Sequence, residues 1–111
     1  MRALMIAAAA VVAGFAFAGP ADARTCRDLG AEGYAPTNIH ARHTTCRVAR
    51  RVAKRVAKVP TFGGCIGAGS NGLFLHQPCK RFRFRCHGSD RGLGIRVRCV
   101  RADERIRFDL G

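Results

Sequence analysis

Four histidines are the residues of this sequence that could carry out acid–base chemistry: His40, His43, His76 and His87. Two imidazoles placed together can supply the acid and the base for phosphodiester cleavage. His40 and His43 are three residues apart, and strand residues at that separation point to opposite faces of a sheet. No local pattern brings any other pair together. We therefore expect surface histidines and no enzymatic activity, with a small secreted nuclease as an alternative.

Six cysteines form a second chemical group: Cys26, Cys46, Cys65, Cys79, Cys86 and Cys99. An even number in a short chain predicts three disulfides if the chain is exported. Because neither a Cys-x-x-Cys pair nor a zinc-type Cys/His cluster occurs, we expect no metal ion and no other cofactor. Cys65–Cys79 is the favoured first bridge, since these two residues enclose one segment. Cys26–Cys46 and Cys86–Cys99 are favoured for the rest, and Cys46–Cys86 is the main alternative.

Basic residues form the third group. The chain has 20 Lys and Arg residues, of which only Lys54, Lys58 and Lys80 are Lys, and its formal net charge is +13. Guanidinium groups bind phosphate and carboxylate through two parallel hydrogen bonds, so this bias favours anionic partners. A genome rich in G and C would also raise the arginine content, so the placement of the arginines is more informative than their number.

Seven arginines alternate with apolar residues in three short runs near the C-terminus: Arg81, Arg83, Arg85, Arg96, Arg98, Arg105 and Arg107. The apolar members are Phe82, Phe84, Cys86, Ile95, Val97, Cys99, Ile106, Phe108 and Leu110. A period of two predicts half-buried strands, and the Gly, Ser and Asp residues between the runs predict turns. The three runs should therefore form an antiparallel meander. The alternation of Ile39 and Ala41 with His40 and Arg42 predicts one more strand.

On such a meander the seven arginines would share one face, with cross-strand neighbours about 5 Å apart. Like charges at that distance are unfavourable unless an anion is present. The arrangement therefore indicates an anion-binding face, and a merely solvated arginine-rich surface is the alternative. Every Phe of the runs should point to the inner side, so base stacking is not expected.

An amphipathic helix is predicted from Thr45 to Lys58, with Thr44 or Thr45 as its N-cap and Pro60 beyond its end. One side of the helical wheel carries Val and Ala, and the other carries Arg and Lys. Small apolar residues suit packing on a sheet, whereas membrane-active peptides bury bulky Leu, Phe or Trp. We expect a docked helix, with a membrane-active antimicrobial protein as an alternative function.

A glycine-rich insertion occupies residues 62–78. It lacks the strand, the helix and the Gly-Lys-Ser/Thr ending of a phosphate-binding loop. We interpret it as a flexible insertion held by Cys65 and Cys79. A protease inhibitor that presents the loop from Gly63 to Gln77 is a further alternative function.

The N-terminal residues predict export. A positive start, an apolar run from Ala3 to Ala18 and the small residues Ala21 and Ala23 are typical of a signal peptide at residues 1–23. Cleavage after Ala18 is the alternative. The apolar run is too short and too rich in Ala for a membrane span. We expect a secreted domain at residues 24–111 that can contact a membrane without spanning it.

Several motifs resemble a family of small secreted bacterial proteins that has no characterised activity. The motifs are Ile39-His-Ala-Arg-His-Thr-Thr-Cys46, the Cys-led helix that follows it, Phe84-Arg-Cys86, Val97-Arg-Cys99 and Ile106-Arg-Phe108. The resemblance implies an α+β fold and carries no functional residues. The sequence thus predicts one amphipathic helix packed on a mostly antiparallel sheet of three to four strands. Its predicted function is charge-based binding of an anionic polymer or surface, such as an envelope polymer or nucleic acid.

Overall fold

The computed structural model of the chain describes residues 23–30 and 35–111. The predicted signal peptide lies outside the described residues apart from Ala23, so its removal stays a prediction. The elements in chain order are β1 (Arg24–Thr25), β2 (Thr37–Arg42), helix α1 (Cys46–Val56), a 3-10 turn (Pro60–Phe62), β3 (Ile66–Gly69), β4 (Gly72–Leu75), β5 (Cys79–Arg81), β6 (Phe84–Asp90), β7 (Ile95–Arg101) and β8 (Glu104–Leu110).

Six strands form one antiparallel sheet in the order β1-β2-β8-β7-β6-β5. The predicted meander is confirmed as β6, β7 and β8, and the predicted additional strand is confirmed as β2. The separate pair β3 and β4 forms a two-stranded sheet. The coarse prediction of one helix on an antiparallel sheet therefore holds, but the expected three to four strands were too few.

Helix α1 covers one face of the large sheet and is shorter than the predicted segment from Thr45 to Lys58. The hydroxyl of Thr45 accepts a hydrogen bond from the amide of Val48 at 3.1 Å and so caps the helix. The Val/Ala side is buried as predicted, at Ala49, Val52, Ala53 and Val56. These small side chains allow close packing of the helix on the sheet. No helix in the described ranges has the length and hydropathy needed to cross a membrane.

The core between α1 and the sheet is built from the inward residues of the strands. Its members include Ile39, Phe84, Ile95, Val97, Ile106 and Phe108, all buried as expected. Full burial of each such side chain stabilises the fold by roughly 1.5 to 3 kcal/mol. The prediction that Phe82 belongs to this core was wrong, because Phe82 is 39% exposed.

The misplacement of Phe82 has a simple geometric cause. The run from Arg81 to Cys86 is not one strand, because Phe82 and Arg83 form the two-residue turn that joins β5 to β6. Arg81 pairs with Phe84 across this turn, so the two residues share a face. In the sequence the alternation continues through the turn. In the structure the odd-numbered residues of β5 share the inner face with the even-numbered residues of β6.

The glycine-rich insertion contains the hairpin β3–β4, a regular structure that the sequence did not predict. Ile66 and Leu75 are buried, and the hairpin packs against β6 where Gly88 has no side chain. A Cβ at Gly88 would lie 3.2 Å from Cγ of Leu75. The hairpin thus adds a small second layer at one end of the core.

Three disulfides hold these parts together: Cys26–Cys46, Cys65–Cys79 and Cys86–Cys99. They are the three favoured pairings, and the alternative Cys46–Cys86 is absent. The first attaches the start of α1 to the segment after β1, and the second attaches β3 to β5. The third joins directly opposed residues of β6 and β7. Each cross-link typically stabilises a small domain by about 2 to 4 kcal/mol.

Candidate anion-binding face

The face of the large sheet that points away from α1 is called the outer face here. Directly opposed residues on neighbouring strands share a face, so the register places the outer side chains in three rows. The first row is Lys80, Arg85, Val100, Arg105 and Arg42. The second row is His87, Arg98, Arg107, His40 and Thr25. The third row is Ser89, Arg96, Asp109 and Thr37.

Five of the seven predicted arginines lie on this face. Arg85 and Arg105 belong to the first row, Arg98 and Arg107 to the second, and Arg96 to the third. The guanidinium group of Arg105 already makes hydrogen bonds within the protein, because its Nη1 donates to the carbonyl oxygens of Ala102 at 2.7 Å and Glu104 at 2.9 Å. The face therefore exists, but with fewer arginines than the alternation suggested.

Arg81 and Arg83 are the two exceptions. Arg81 lies on the inner side, where its Nε donates to the carbonyl of Gly63 at 2.7 Å and its Nη2 donates to that of Gly64 at 3.0 Å. It thus joins β5 to the turn that follows α1 and acts as a structural residue. Arg83 lies in the β5–β6 turn. Both were assigned to the shared face because the turn was not recognised in the sequence.

The third row is electrically neutralised by Asp109, which is 5% exposed. Arg96 Nε donates to Asp109 Oδ1 at 2.8 Å, Asn38 Nδ2 donates to Oδ2 at 3.1 Å, and Arg91 Nη2 lies 3.7 Å from Oδ2. Burial raises the pKa of Asp109, but the hydrogen bonds and charges of these neighbours outweigh burial and hold the pKa below its usual value. Arg96 is therefore committed to a structural ion pair.

The first two rows contain no such neutralisation. In the part of the chain that the structure describes, no carboxylate lies within ion-pair distance of Arg85, Arg98 or Arg107. Arg107 Nε is buried and has no hydrogen-bond partner among these residues. Arg98 and Arg107 occupy directly opposed positions on β7 and β8, so two arginines are cross-strand neighbours on this face. A buried donor without a partner is costly.

Two basic residues of these rows, Arg42 and Lys80, were not assigned to the face from the sequence, and His40 and His87 lie beside the arginines of the second row. His40 and Arg42 alternate with Ile39 and Ala41, which correctly predicts a strand. That β2 lies beside β8 is a long-range pairing without a sequence signal. An open depression of about 400 Å³ is the result, and its lining includes His40, Arg42, Arg98, Arg105 and Arg107.

The two histidines of the outer face, His40 and His87, lie too far apart to act as a catalytic pair. His40 and His87 share the second row, but three strand spacings separate them, which is roughly 14 Å. That distance is too large for both imidazoles to act on one phosphate. His76 instead packs edge-on against Phe74, with the ring centroids 4.9 Å apart. Residues 23–30 and 35–111 also contain no group of three or more His, Cys, Asp or Glu placed to hold a metal ion.

Comparison of the chain with known protein families, with curated proteins and with solved structures finds no match.

Proposed function

We propose that the protein binds linear anionic polymers through the first two rows of the outer face, by charge and without cofactor or reaction. The rows cross neighbouring strands that lie about 4.8 Å apart, so four strand spacings extend over roughly 19 Å. A single phosphate or carboxylate would engage only one or two of these side chains. An extended polymer, such as an envelope polymer or a nucleic acid, can engage most of them at once.

The observation that carries the proposal is the contrast between rows of the same face. The third row pairs Arg96 with Asp109, whereas the first two rows hold six Lys and Arg side chains with no acidic residue in register. Like charges directly opposed on a sheet are destabilising. Stability alone therefore favours the arrangement of the third row, and the first two rows keep an electrostatic cost that a polyanion would relieve.

Recognition by these rows would not depend on base sequence. Phosphate contacts position a protein on nucleic acid without specifying bases. The first two rows contain no Phe, Tyr or Trp on which bases could stack. Three disulfides are typical of an oxidising environment outside the cytosol, where anionic envelope polymers occur. Secretion to that environment is part of the proposal.

The experiment compares two triple variants in binding to duplex DNA and to heparin at several salt concentrations. One variant carries Arg85→Gln, Arg98→Gln and Arg107→Gln on the outer face. Its matched control carries Arg47→Gln, Arg51→Gln and Lys54→Gln on α1, so both lose three charges. If all six Lys and Arg side chains of the two rows engage phosphates, the logarithm of the DNA affinity falls with the logarithm of salt with a slope of about −5.

We expect the outer-face variant to flatten that slope by about 3, because each lost phosphate contact removes roughly 0.9. The control should change the slope much less. Equal losses in the two variants would show that only bulk charge acts. A wild-type affinity that does not depend on salt would contradict the proposal altogether.

A further inference from the structure

A second surface, at the opposite side of the sheet from the outer face, combines exposed aromatic rings with cations. We call it the hairpin tip and define it by Val59, Phe62, Phe82 and Arg83 together with Arg55 of α1. Phe62 is 72% exposed, Val59 is 41% exposed and Phe82 is 39% exposed. Large apolar side chains exposed together often mark an interaction surface.

Contacts on the inner side of the sheet bring these residues to one place. Arg81, which precedes Phe82, donates to the carbonyl of Gly63, which follows Phe62. Arg55 Cζ lies 5.3 Å from the centroid of the Phe82 ring, and Arg51 Cζ lies 5.9 Å from it. Val59 belongs to the same turn as Phe62, whose amide donates to the Val59 carbonyl at 2.9 Å. The aromatic rings are thus bordered by the cations of α1.

The backbone at the tip adds an independent observation. Phe82 has φ of 54° and Arg83 has φ of 68°, the left-handed values that a two-residue type I′ turn requires at both positions. Asn-Gly is the pair preferred there, and bulky side chains are unfavourable in this conformation. A turn chosen for stability would not contain Phe and Arg. Strained positions that persist in this way cluster at functional sites.

We propose that the hairpin tip docks on a lipid bilayer that carries anionic headgroups. The ring of Phe62 would enter the boundary between headgroups and acyl chains, while Arg55, Arg83 and the exposed Lys58 bind lipid phosphates. A polymer in water offers no apolar phase for Phe62, which is why a bilayer is the preferred occupant. The Val/Ala side of α1 stays buried in the core, so docking would not disrupt the bilayer. This surface is separate from the outer face and does not rest on its function.

The test measures binding of the protein to phosphatidylcholine vesicles with and without phosphatidylglycerol. We expect binding only when phosphatidylglycerol is present. Phe62→Ala should weaken it about tenfold, a conservative value for removing a phenyl ring from an apolar phase. Arg55→Gln should weaken it about fivefold, as expected for one charge near an anionic surface. Phe62 is exposed, so its substitution leaves the fold intact, and Phe82→Asn provides a second ring deletion that suits the turn.

Leu93→Ala is the matched control, because Leu93 is 96% exposed but lies in the β6–β7 turn at the other end of β6. It should leave vesicle binding unchanged. Equal effects of Phe62→Ala and Leu93→Ala, equal binding to both vesicle types, or leakage of vesicle contents would each overturn the proposal. A loss of heparin affinity in Phe62→Ala as large as the loss of vesicle binding would also overturn it, since the tip would then bind polymers. The three vesicle outcomes do not bear on the outer face, which is tested separately by its own triple variant.

Discussion

The outer face of the sheet and the exposed side of α1 both carry a cluster of cations, but they hold these charges differently. On α1 the side chains of Arg47, Arg51 and Arg55 leave a convex surface, and like-charge pairs four residues apart cost only a few tenths of a kcal/mol. On the sheet the side chains of a row stand about 5 Å apart on directly opposed positions, where repulsion is larger. A helix can therefore tolerate cations at little cost, whereas the larger cost of the cationic rows on the sheet is the basis of the proposed anion-binding site.

The hairpin tip sharpens this contrast. Its cations, Arg55 of α1 and Arg83 of the β5–β6 turn, by themselves indicate little. Its informative features are the exposed ring of Phe62 and the left-handed backbone at Phe82 and Arg83. The two proposed surfaces thus rest on different physical arguments, one on charge placement and one on apolar exposure and backbone conformation.

The largest expected effect is a loss of stability from a change in the hydrophobic core, which supports both surfaces. Phe108 is fully buried in the core on β8, the strand that also carries Arg107. Phe108→Ala should destabilise the domain by about 3 to 5 kcal/mol, because it leaves a cavity that the neighbours fill only in part. Denaturant unfolding measures this change, and both binding activities should disappear together on heating. Phe62→Ala, by comparison, should change stability by less than about 0.5 kcal/mol. Similar losses in both variants would mean that the core is misassigned.

Asp109→Asn should make the third row cationic, like the first two rows. Removing the charge leaves Arg96 and Arg91 without their partner and should destabilise the domain by about 1 to 3 kcal/mol at neutral pH. The same substitution should strengthen binding of polyanions, because the third row becomes cationic. Asp103→Asn, in the exposed β7–β8 turn, removes one negative charge without breaking an ion pair and is the control for bulk charge. Equal gains in affinity from both substitutions would contradict a role for the row.

The pH dependence of this effect has a definite sign. The pKa of Asp109 is lower in the folded protein than its ordinary value, which is about 3.9. Ionised Asp109 therefore contributes its full stabilisation above about pH 4, and the contribution is lost as the pH falls further, through the folded pKa. Glu104, whose pKa is lowered by its hydrogen bond from Arg101, acts in the same direction. The stability difference between the wild type and Asp109→Asn should shrink below about pH 4, and a difference that grows there would be inconsistent with the ion pair.

A smaller effect of opposite sign is expected at the hairpin tip. Replacing Phe82 by Asn and Arg83 by Gly supplies the pair that a type I′ turn prefers. The double variant should be more stable than the wild type by about 1 kcal/mol, since a residue with a side chain in the left-handed region costs about that much and Asn and Gly cost less. Thermal or denaturant unfolding tests this. A loss of stability would show that the Phe82 ring contributes more through Arg51 and Arg55 than the turn costs.

The sequence predicted those features that depend on local periodicity. The Val/Ala side of α1, the three strands of the meander and β2 all follow from apolar spacing. The favoured disulfides also agree with the structure, because Cys86 and Cys99 point inward on neighbouring strands. For the outer face, the alternation correctly placed five arginines: Arg85, Arg96, Arg98, Arg105 and Arg107.

The remaining features depend on turns and on long-range pairing. A two-residue turn at Phe82 and Arg83 lacks Gly, Asn and Asp, so the sequence carried no turn signal there, and Arg81 was assigned to the wrong face. The ion pair of Arg96 with Asp109 follows from the register of β7 and β8, which the short turn at Ala102 and Asp103 determines. The cross-strand partners of β7 and β8 can be assigned from the sequence only when the length of this turn is known.

The most direct test of the central claim is to record the NMR signals of the arginine Nε–H groups while heparin is added. The account predicts the largest shifts for Arg98 and Arg107, which occupy directly opposed positions and have no carboxylate partner among the described residues. Arg96, whose Nε already donates to Asp109, should shift little, and so should Arg47 on α1. Shifts spread evenly over all arginines, or largest on α1, would contradict a binding site on the outer face.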